Sequence, residues 1–501
     1  MSALNEELPG NYGLEDQIAA LQWIQENGAN FELDVNTVAV GGESAGAASA
    51  SILAVSEKTK GLFHRVIIRS GSMLAPWAVR TMNTNLNSRL FMNELDCNQT
   101  DTAAAKKCLK DTNMNDWLAA WRALGANDIE FVESRTKTAP SNYNHPFLAH
   151  TYFTPVMDGA RGAASIIPDY PEEIMANGIR MPAMIGVTSG ECIAYVMWLL
   201  FVSAHANESD LDALDLTNLE YVVPRVIYKN KEQVKEAVFI EYIERKPVWE
   251  NQSYDRTLVE IVSDQNFVTS AVVEATEYAR AGQPTYTYQF DFSNEYMKEK
   301  LMEYKMVNVG AAHGYDMVFM FQNTSVVDPQ GVELNWTSTD LYITDLLSDS
   351  VASFVKDGAP TIANVDWPPY STDCGQSLHI DETPSLRDFF TEAYTFWTKV
   401  IPTIEAVTLS VDYVCTDSRA ASCLAEHLYY RAAFFVTLAL CVLLAMALAL
   451  TLCSARWQRR QRHTRASYQL PVNGSAAVDG NGTGEMPTME TPFRANSTNC
   501  Q

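Results

Sequence analysis

Basic residues are scarce in this chain. Thirty-six Lys and Arg stand against 61 Asp and Glu, a formal net charge of −25 over 501 residues. Such a balance cannot supply the general basic field that drives nucleic-acid binding, so no nucleic-acid partner is expected. No His/Cys cluster has metal-ligand spacing, and neither a metal nor an organic cofactor is implied. No internal repeat is present. The opening residues Met1-Ser2-Ala3-Leu4-Asn5-Glu6-Glu7 have neither a basic n-region nor an apolar run of about 7–15 residues, so they do not read as a signal peptide. What is present is globular in composition, with 47% hydrophobic and 19% charged residues. A chain this long carries a soft prior of about three domains.

The charge is split. From Ala432 onward six Arg face three acidic residues, a net of +3, so residues 1–431 carry −28. The boundary is Ala432–Cys453, AAFFVTLALCVLLAMALALTLC, 22 residues without a charge. As a helix at about 1.5 Å per residue it would cross a bilayer core of roughly 30 Å. Arg456, Arg459, Arg460, Arg462 and Arg465 follow at once, and positive flanks stay cytoplasmic. The sequence therefore predicts a single membrane span, a cytoplasmic C-terminus and an extracellular residue 1–431 portion. Sequons at Asn98, Asn207, Asn251, Asn323 and Asn335 agree weakly with that side. Cys97 and Cys108, and separately Cys415 and Cys423, are spaced to close short loops in an oxidising compartment.

Four regions follow: a large α/β unit over 1–408, a juxtamembrane stalk over 409–431, the span over 432–453, and a disordered cytoplasmic tail over 454–501. Within the large unit, Glu15–Asn27 has the apolar spacing of an amphipathic helix. Asn36–Val40 reads as a short β-branched strand ending in Gly41-Gly42, Ala45–Leu53 as an Ala-rich helix, and Phe63–Arg69 and Pro182–Thr188 as buried strands. Strands alternating with helices imply a largely parallel sheet covered on both faces.

Strand, then Gly42-Glu43-Ser44-Ala45-Gly46, then helix is the pattern of a nucleophile elbow. The turn forces strained backbone angles on the serine, and the flanking glycines keep side chains clear of neighbouring backbone. The helix N-terminus aims backbone N–H groups at a developing oxyanion. The five-residue motif arises by chance roughly once in ten chains of this length, so the strand and helix around it carry the assignment. In this architecture the acid and then the base follow the serine. His145 and His150 precede any suitable acid, His205 sits in a polar sequon-bearing loop, and His379 lies in a segment resembling a surface strand. His427 is juxtamembrane and His463 cytoplasmic. His313 differs, because Gly310-Ala311-Ala312-His313-Gly314 is a small-residue loop from which an imidazole can project. Glu191, after the strand ending near Thr188, stands where open α/β sheets place catalytic groups, and can orient the base through Nδ1.

The chain resembles the carboxylesterase type-B family, which includes the cholinesterases. Pro9-Gly10-Asn11-Tyr12-Gly13-Leu14-Glu15-Asp16-Gln17 is similar to the segment before the family's elbow helix, and Gly42–Gly46 is the family's own elbow. Ser70-Gly71-Ser72, Glu191, His313-Gly314-Tyr315-Asp316, Phe354-Val355-Lys356-Asp357-Gly358-Ala359-Pro360 and Trp367-Pro368 match in order over roughly residues 9–402. The resemblance implies an α/β-hydrolase fold, a catalytic set of Ser44, Glu191 and His313, Ala45 N–H as an oxyanion donor, and a disulfide between Cys97 and Cys108. Gly190-Glu191-Cys192 departs from the family's Asp-Glu-Gly, and Asp316 stands where Glu is usual. The family's later disulfide has no counterpart near Thr269. Family members carry well over a hundred residues before the matching point, with a signal peptide, the first strands, a glycine pair of the oxyanion hole and, in cholinesterases, a choline-binding tryptophan. The chain is accordingly expected to be an N-terminally incomplete copy, lacking N-terminal strands, with an exposed strand edge and little or no activity when expressed from Met1.

Two functions compete. One is a membrane-anchored serine ester hydrolase acting on a small carboxylic ester through an acyl-enzyme. The other is a neuroligin-like, non-catalytic adhesion or receptor ectodomain; that part of the family consists of single-pass proteins, many of which have lost triad residues. A second copy of the chain or an adhesion partner is the expected macromolecular partner.

Overall fold

A strand that starts at Ala39 organises the molecule. The computed structural model describes residues 1–98, 101–135, 153–197, 228, 230–245, 254–304, 306, 308–322, 335–362 and 365–407. Strand β1 (Ala39–Glu43) pairs in parallel with β2 (Arg65–Arg69), register Gly41 to Ile67 and Gly42 to Ile68. The expected strand over 36–40 is thus displaced by three residues. Gly41 and Gly42 do not end the strand, because a glycine keeps its N–H and C=O for the ladder, and the pair continues the ladder to the elbow. Beyond β2 come β3 (Ala183–Thr188), β4 (Thr285–Phe290) and β5 (Gln376–Ile380), all parallel, and β6 (Ser385–Asp388), antiparallel to β5.

Burial differs sharply along this sheet. All six residues of β3 are buried, whereas no residue of β1 is, and Gly41 is exposed. Among the described residues β1 has one neighbour, so its far edge presents unpaired backbone. The β5 segment corrects the surface-strand reading of His379. That residue is 6% exposed, because β5 is flanked by β4 and β6.

Helix α1 spans Tyr12–Asn27 and buries Leu14, Ile18 and Leu21 at helical spacing. Helix α2 (Ala45–Val55) starts directly after Ser44 and packs on β1 and β2. Its small residues Ala47, Ala48 and Ala50 are buried with Ile52, Leu53 and Val55, so it approaches the sheet closely. Helices α3 (Thr81–Glu94), α4 (Thr102–Asp111) and α5 (Met114–Arg135) follow. Cys97 and Cys108 are joined by a disulfide, Cα atoms 5.5 Å apart, inside a small core with Leu8, Met92, Ala105 and Leu109. Helix α6 (Pro171–Gly178) precedes β3, and α7 (Lys231–Phe239) lies farther on.

Helix α8 (Tyr254–Ser263) runs through a π-helical turn, Asp264–Val268, into α9 (Thr269–Arg280), which packs on β3 and β4. After β4 come α10 (Glu295–Glu303), α11 (Tyr315–Phe321) and α12 (Ser338–Asp357). A capping box of Thr337 and Asp340 opens α12, and Gly358 closes it at φ 79°, a left-handed position that favours glycine. One face of β4 carries Tyr286, Tyr288 and Phe290, which meet Phe354 of α12, Trp367 and Phe319 of α11. Short helices α13 (Thr391–Thr395) and α14 (Ile401–Val407) end the described part.

Residues Met1–Thr408 form one unit and Leu409–Gln501 a second. The second lies outside the described residues, and with it the expected stalk, span, tail, Cys415 and Cys423. Asn207, Asn251 and Asn323 also lie outside, while Asn98 and Asn335 are described and exposed. Among the described residues no helix is long and apolar enough to cross a membrane, and no group of three or more His, Cys, Asp or Glu is placed to hold a metal ion.

Candidate active site

Ser44 sits between β1 and α2 with φ 58° and ψ −121°. A non-glycine residue held there stores strain on the order of 1–3 kcal/mol, so its surroundings must impose it. Ser44 N–H donates to Arg69 O at 2.9 Å, and Ala48 N–H donates to Ser44 O at 3.0 Å. A Cβ on Gly42 would lie 2.0 Å from Gly46 O, and one on Gly71 would lie 2.3 Å from Ser44 O. Gly42 and Gly71 therefore make the room. Gly46 does not, since a Cβ there meets nothing within 4 Å; it and Ala45 are exposed.

Glu191 follows β3 in a turn closed by Ile193 N–H to Gly190 O at 3.1 Å. The unusual Gly190-Glu191-Cys192 sequence therefore still forms a turn. Its side chain has no solvent exposure; Oε1 accepts Thr188 N–H at 2.7 Å, and Oε2 lies 2.5 Å from His313 Nδ1. The acid and histidine loops are tied together. Gly190 N–H donates to Ala311 O at 2.8 Å, and Ala311 N–H donates to Ser189 Oγ at 3.0 Å. Gly310, at φ 91°, lets the loops approach, because a Cβ would sit 2.5 Å from Ser189 Oγ. Cys192, next along, is a buried free thiol whose pKa burial pushes well up, and its N–H donates to Ser263 Oγ.

The His313 ring rests against Phe267 of the π-helical turn, centroids 4.8 Å apart. Its Nε2 lies 3.1 Å from Glu43 Oε1, within ion-pair range but without hydrogen-bond alignment, since that oxygen has no hydrogen-bond partner. The elbow's own glutamate thus stands at the nitrogen that would serve Ser44. No hydrogen bond joins His313 to Ser44 among the described residues. Burial works to lower the His313 pKa, but Glu191, its hydrogen bond, Glu43 and Asp316 outweigh it and raise it to about 9. Burial raises Glu43, with His313 acting against it.

Asp316, fully buried in α11, accepts Tyr288 O–H at 2.8 Å; burial raises its pKa, and Arg69 opposes this. Arg69 is 6% exposed, with its guanidinium 5.6 Å above the Phe321 ring. Sequence reasoning singled out Ser44, Glu191 and His313, and the structure brings their elements together. It missed Glu43, Asp316, Arg69 and Phe267 as parts of one electrostatic site. Glu43 and Asp316 were visible as motif neighbours, but nothing in the sequence places Phe267 on the imidazole.

A serine on a strained strand-to-helix turn, beside a histidine hydrogen-bonded to a buried glutamate, at the carboxyl ends of parallel strands, defines the α/β-hydrolase class of site. The sequence profile of the carboxylesterase family matches residues 1–397. The chain belongs to the carboxylesterase family. It is 29% identical over 423 residues to neuroligin-3 of Mus musculus, covering 80% of this chain and 47% of that protein. With neuroligin-2 of Homo sapiens it shares 26% over 425 residues, 80% of this chain and 46% of the relative. Acetylcholinesterase of Bungarus fasciatus is 28% identical over 418 residues, 81% of this chain and 62% of the relative. The chain spans about half the length of the neuroligins it matches.

Proposed function

We propose that the chain carries the catalytic residues of a serine ester hydrolase of the carboxylesterase family, with turnover expected to be slow when it is expressed from Met1. The observation that carries this reading is the 2.5 Å contact between His313 Nδ1 and the buried Glu191 carboxylate, beside an elbow serine held at φ 58°. Glu191 fixes the tautomer that leaves Nε2 with its lone pair. Nε2 takes the Ser44 hydroxyl proton as Oγ bonds to the ester carbonyl carbon. The oxyanion faces Ala45 N–H at the start of α2. Collapse breaks the carbon–alkoxy bond, and His313 returns the proton to the leaving alcohol. Water then attacks the acyl-Ser44 with His313 again as base, releasing the acid and restoring the serine. Treatment with a serine-reactive fluorophosphonate followed by peptide mass spectrometry should place the label on Ser44, and His313→Ala should abolish it. Label elsewhere, with Ser44 free, overturns the assignment.

A second reading is a neuroligin-like adhesion ectodomain, tethered by the 432–453 segment with the large unit outside the cell. It is favoured by the likeness to neuroligins and by the Glu43 carboxylate at His313 Nε2. Ser44 inert to fluorophosphonate over pH 6–10 in a folded protein decides for it.

A further inference from the structure

Glu274, in α9, has no solvent exposure, and Ala271 and Tyr278, one turn before and after it on the same helix, are buried as well. A carboxyl group in such surroundings is costly unless its oxygens are satisfied. Both are. Oε1 accepts Ser51 Oγ–H at 2.7 Å, and Oε2 accepts Ser72 Oγ–H. Each serine oxygen in turn accepts a backbone N–H, Ser51 from Met73 at 3.2 Å and Ser72 from Leu74 at 3.0 Å. Ser51 belongs to α2, the helix that begins at the elbow. Ser72–Leu74 continues the segment whose Gly71 packs against Ser44 O. Glu274 is not part of the Ser44, Glu191 and His313 constellation, yet it ties together the two backbone pieces that hold Ser44.

We propose that Glu274 is a positioning residue for the nucleophile elbow: its carboxylate, through Ser51 and Ser72, clamps α2 to the 70–74 segment, and the clamp is complete only while both oxygens accept. The inference rests on the reading of Ser44 as nucleophile. A protonated Glu274 would have to donate to a serine whose own hydrogen has no second acceptor among the described residues, so one arm of the clamp opens. Burial pushes Glu274 up to about 7, while the two serine hydrogen bonds favour its charged form. No charged side chain acts on it. Ser51 faces it from α2 and Ser72 from the 70–74 segment, and its titratable neighbour is Tyr278, neutral and one turn along α9. The clamp therefore opens on acidification through neutrality.

The test uses the full chain with Glu274→Gln, which keeps shape but only one acceptor, and Glu274→Leu. Fluorophosphonate labelling of Ser44 should slow roughly tenfold in Glu274→Gln at pH 8. In the wild type the slope of log rate against pH should steepen from one, set by His313, to about 1.5 near pH 6.5 and return to one at lower pH, as expected for a tenfold slower open state. In Glu274→Gln it should stay at one. Hydrogen exchange of the peptide holding Met73 and Leu74, corrected for intrinsic rates, should show protection lost in both variants and titrating near neutrality in the wild type. Equal protection in all three proteins, or coincident rates and slopes, overturns the clamp. Absence of Ser44 labelling at every pH overturns the hydrolase reading instead, while the exchange data still decide the clamp.

Discussion

Replacing Glu43 by glutamine should move the titration of His313 downward. Glu43 Oε1 lies 3.1 Å from His313 Nε2, and the two side chains are 19% and 27% exposed. At an effective dielectric of about 20 a charge pair at that distance is worth roughly 5 kcal/mol; partial solvation brings the effective dielectric to about 40–80 and the energy to roughly 1–3 kcal/mol. One pKa unit is about 1.4 kcal/mol, so removing the Glu43 charge should lower the imidazole by roughly one to two units. From a starting value of about 9, the neutral fraction at pH 7 is about 1%, and a one-unit fall makes it roughly tenfold larger. The acid limb of kcat/KM for an aryl acetate, followed from pH 6 to 10, should shift by that amount in Glu43→Gln. The His313 Cε1 proton, followed by NMR, should shift likewise whether or not the protein turns over ester. A histidine raised from 6.5 contributes stability that is present in full below about pH 6.5 and lost as pH rises to about 9. In the variant that loss should finish at lower pH. A midpoint unchanged within about 0.3 units in both measurements refutes the argument that Glu43 governs the base.

Gly42→Ala should destabilise the fold by roughly 3 kcal/mol or more in urea unfolding, because the new Cβ meets Gly46 O. Gly46→Ala, which meets nothing within 4 Å, should leave the unfolding midpoint essentially unchanged. A non-reducing peptide map should recover Cys97 and Cys108 as one linked pair, and Cys97→Ser/Cys108→Ser should cost about 2–3 kcal/mol; a free thiol at either position contradicts the bond. With the 432–453 segment spanning the membrane, glycan should occur only among Asn98, Asn207, Asn251, Asn323 and Asn335. Modification at Asn473, Asn481 or Asn496 would reverse the proposed topology.

Much of the site was legible in the linear chain because its parts are local. The elbow is five consecutive residues whose glycines and serine are dictated by one tight turn. The strands and helices on either side show in runs of apolar or small residues. Glu191 and His313 could be chosen because each follows a recognisable strand or sits in a small-residue loop. What the chain alone could not decide depends on contacts between distant segments. Gly71 takes the room-making role that the motif pattern gives Gly46, because only the packing of the 70–74 segment on the elbow shows which glycine faces backbone. His379 changed from surface to buried because β6 folds back over the edge of β5. The raised titration of His313 follows from three carboxylates, Glu43, Glu191 and Asp316, converging from a strand, a loop and a helix. Local pattern follows from the periodicity of strand and helix and is written residue by residue. The field at one imidazole is a sum over charges that only the tertiary fold brings within a few ångströms, and the sequence carries those distances nowhere.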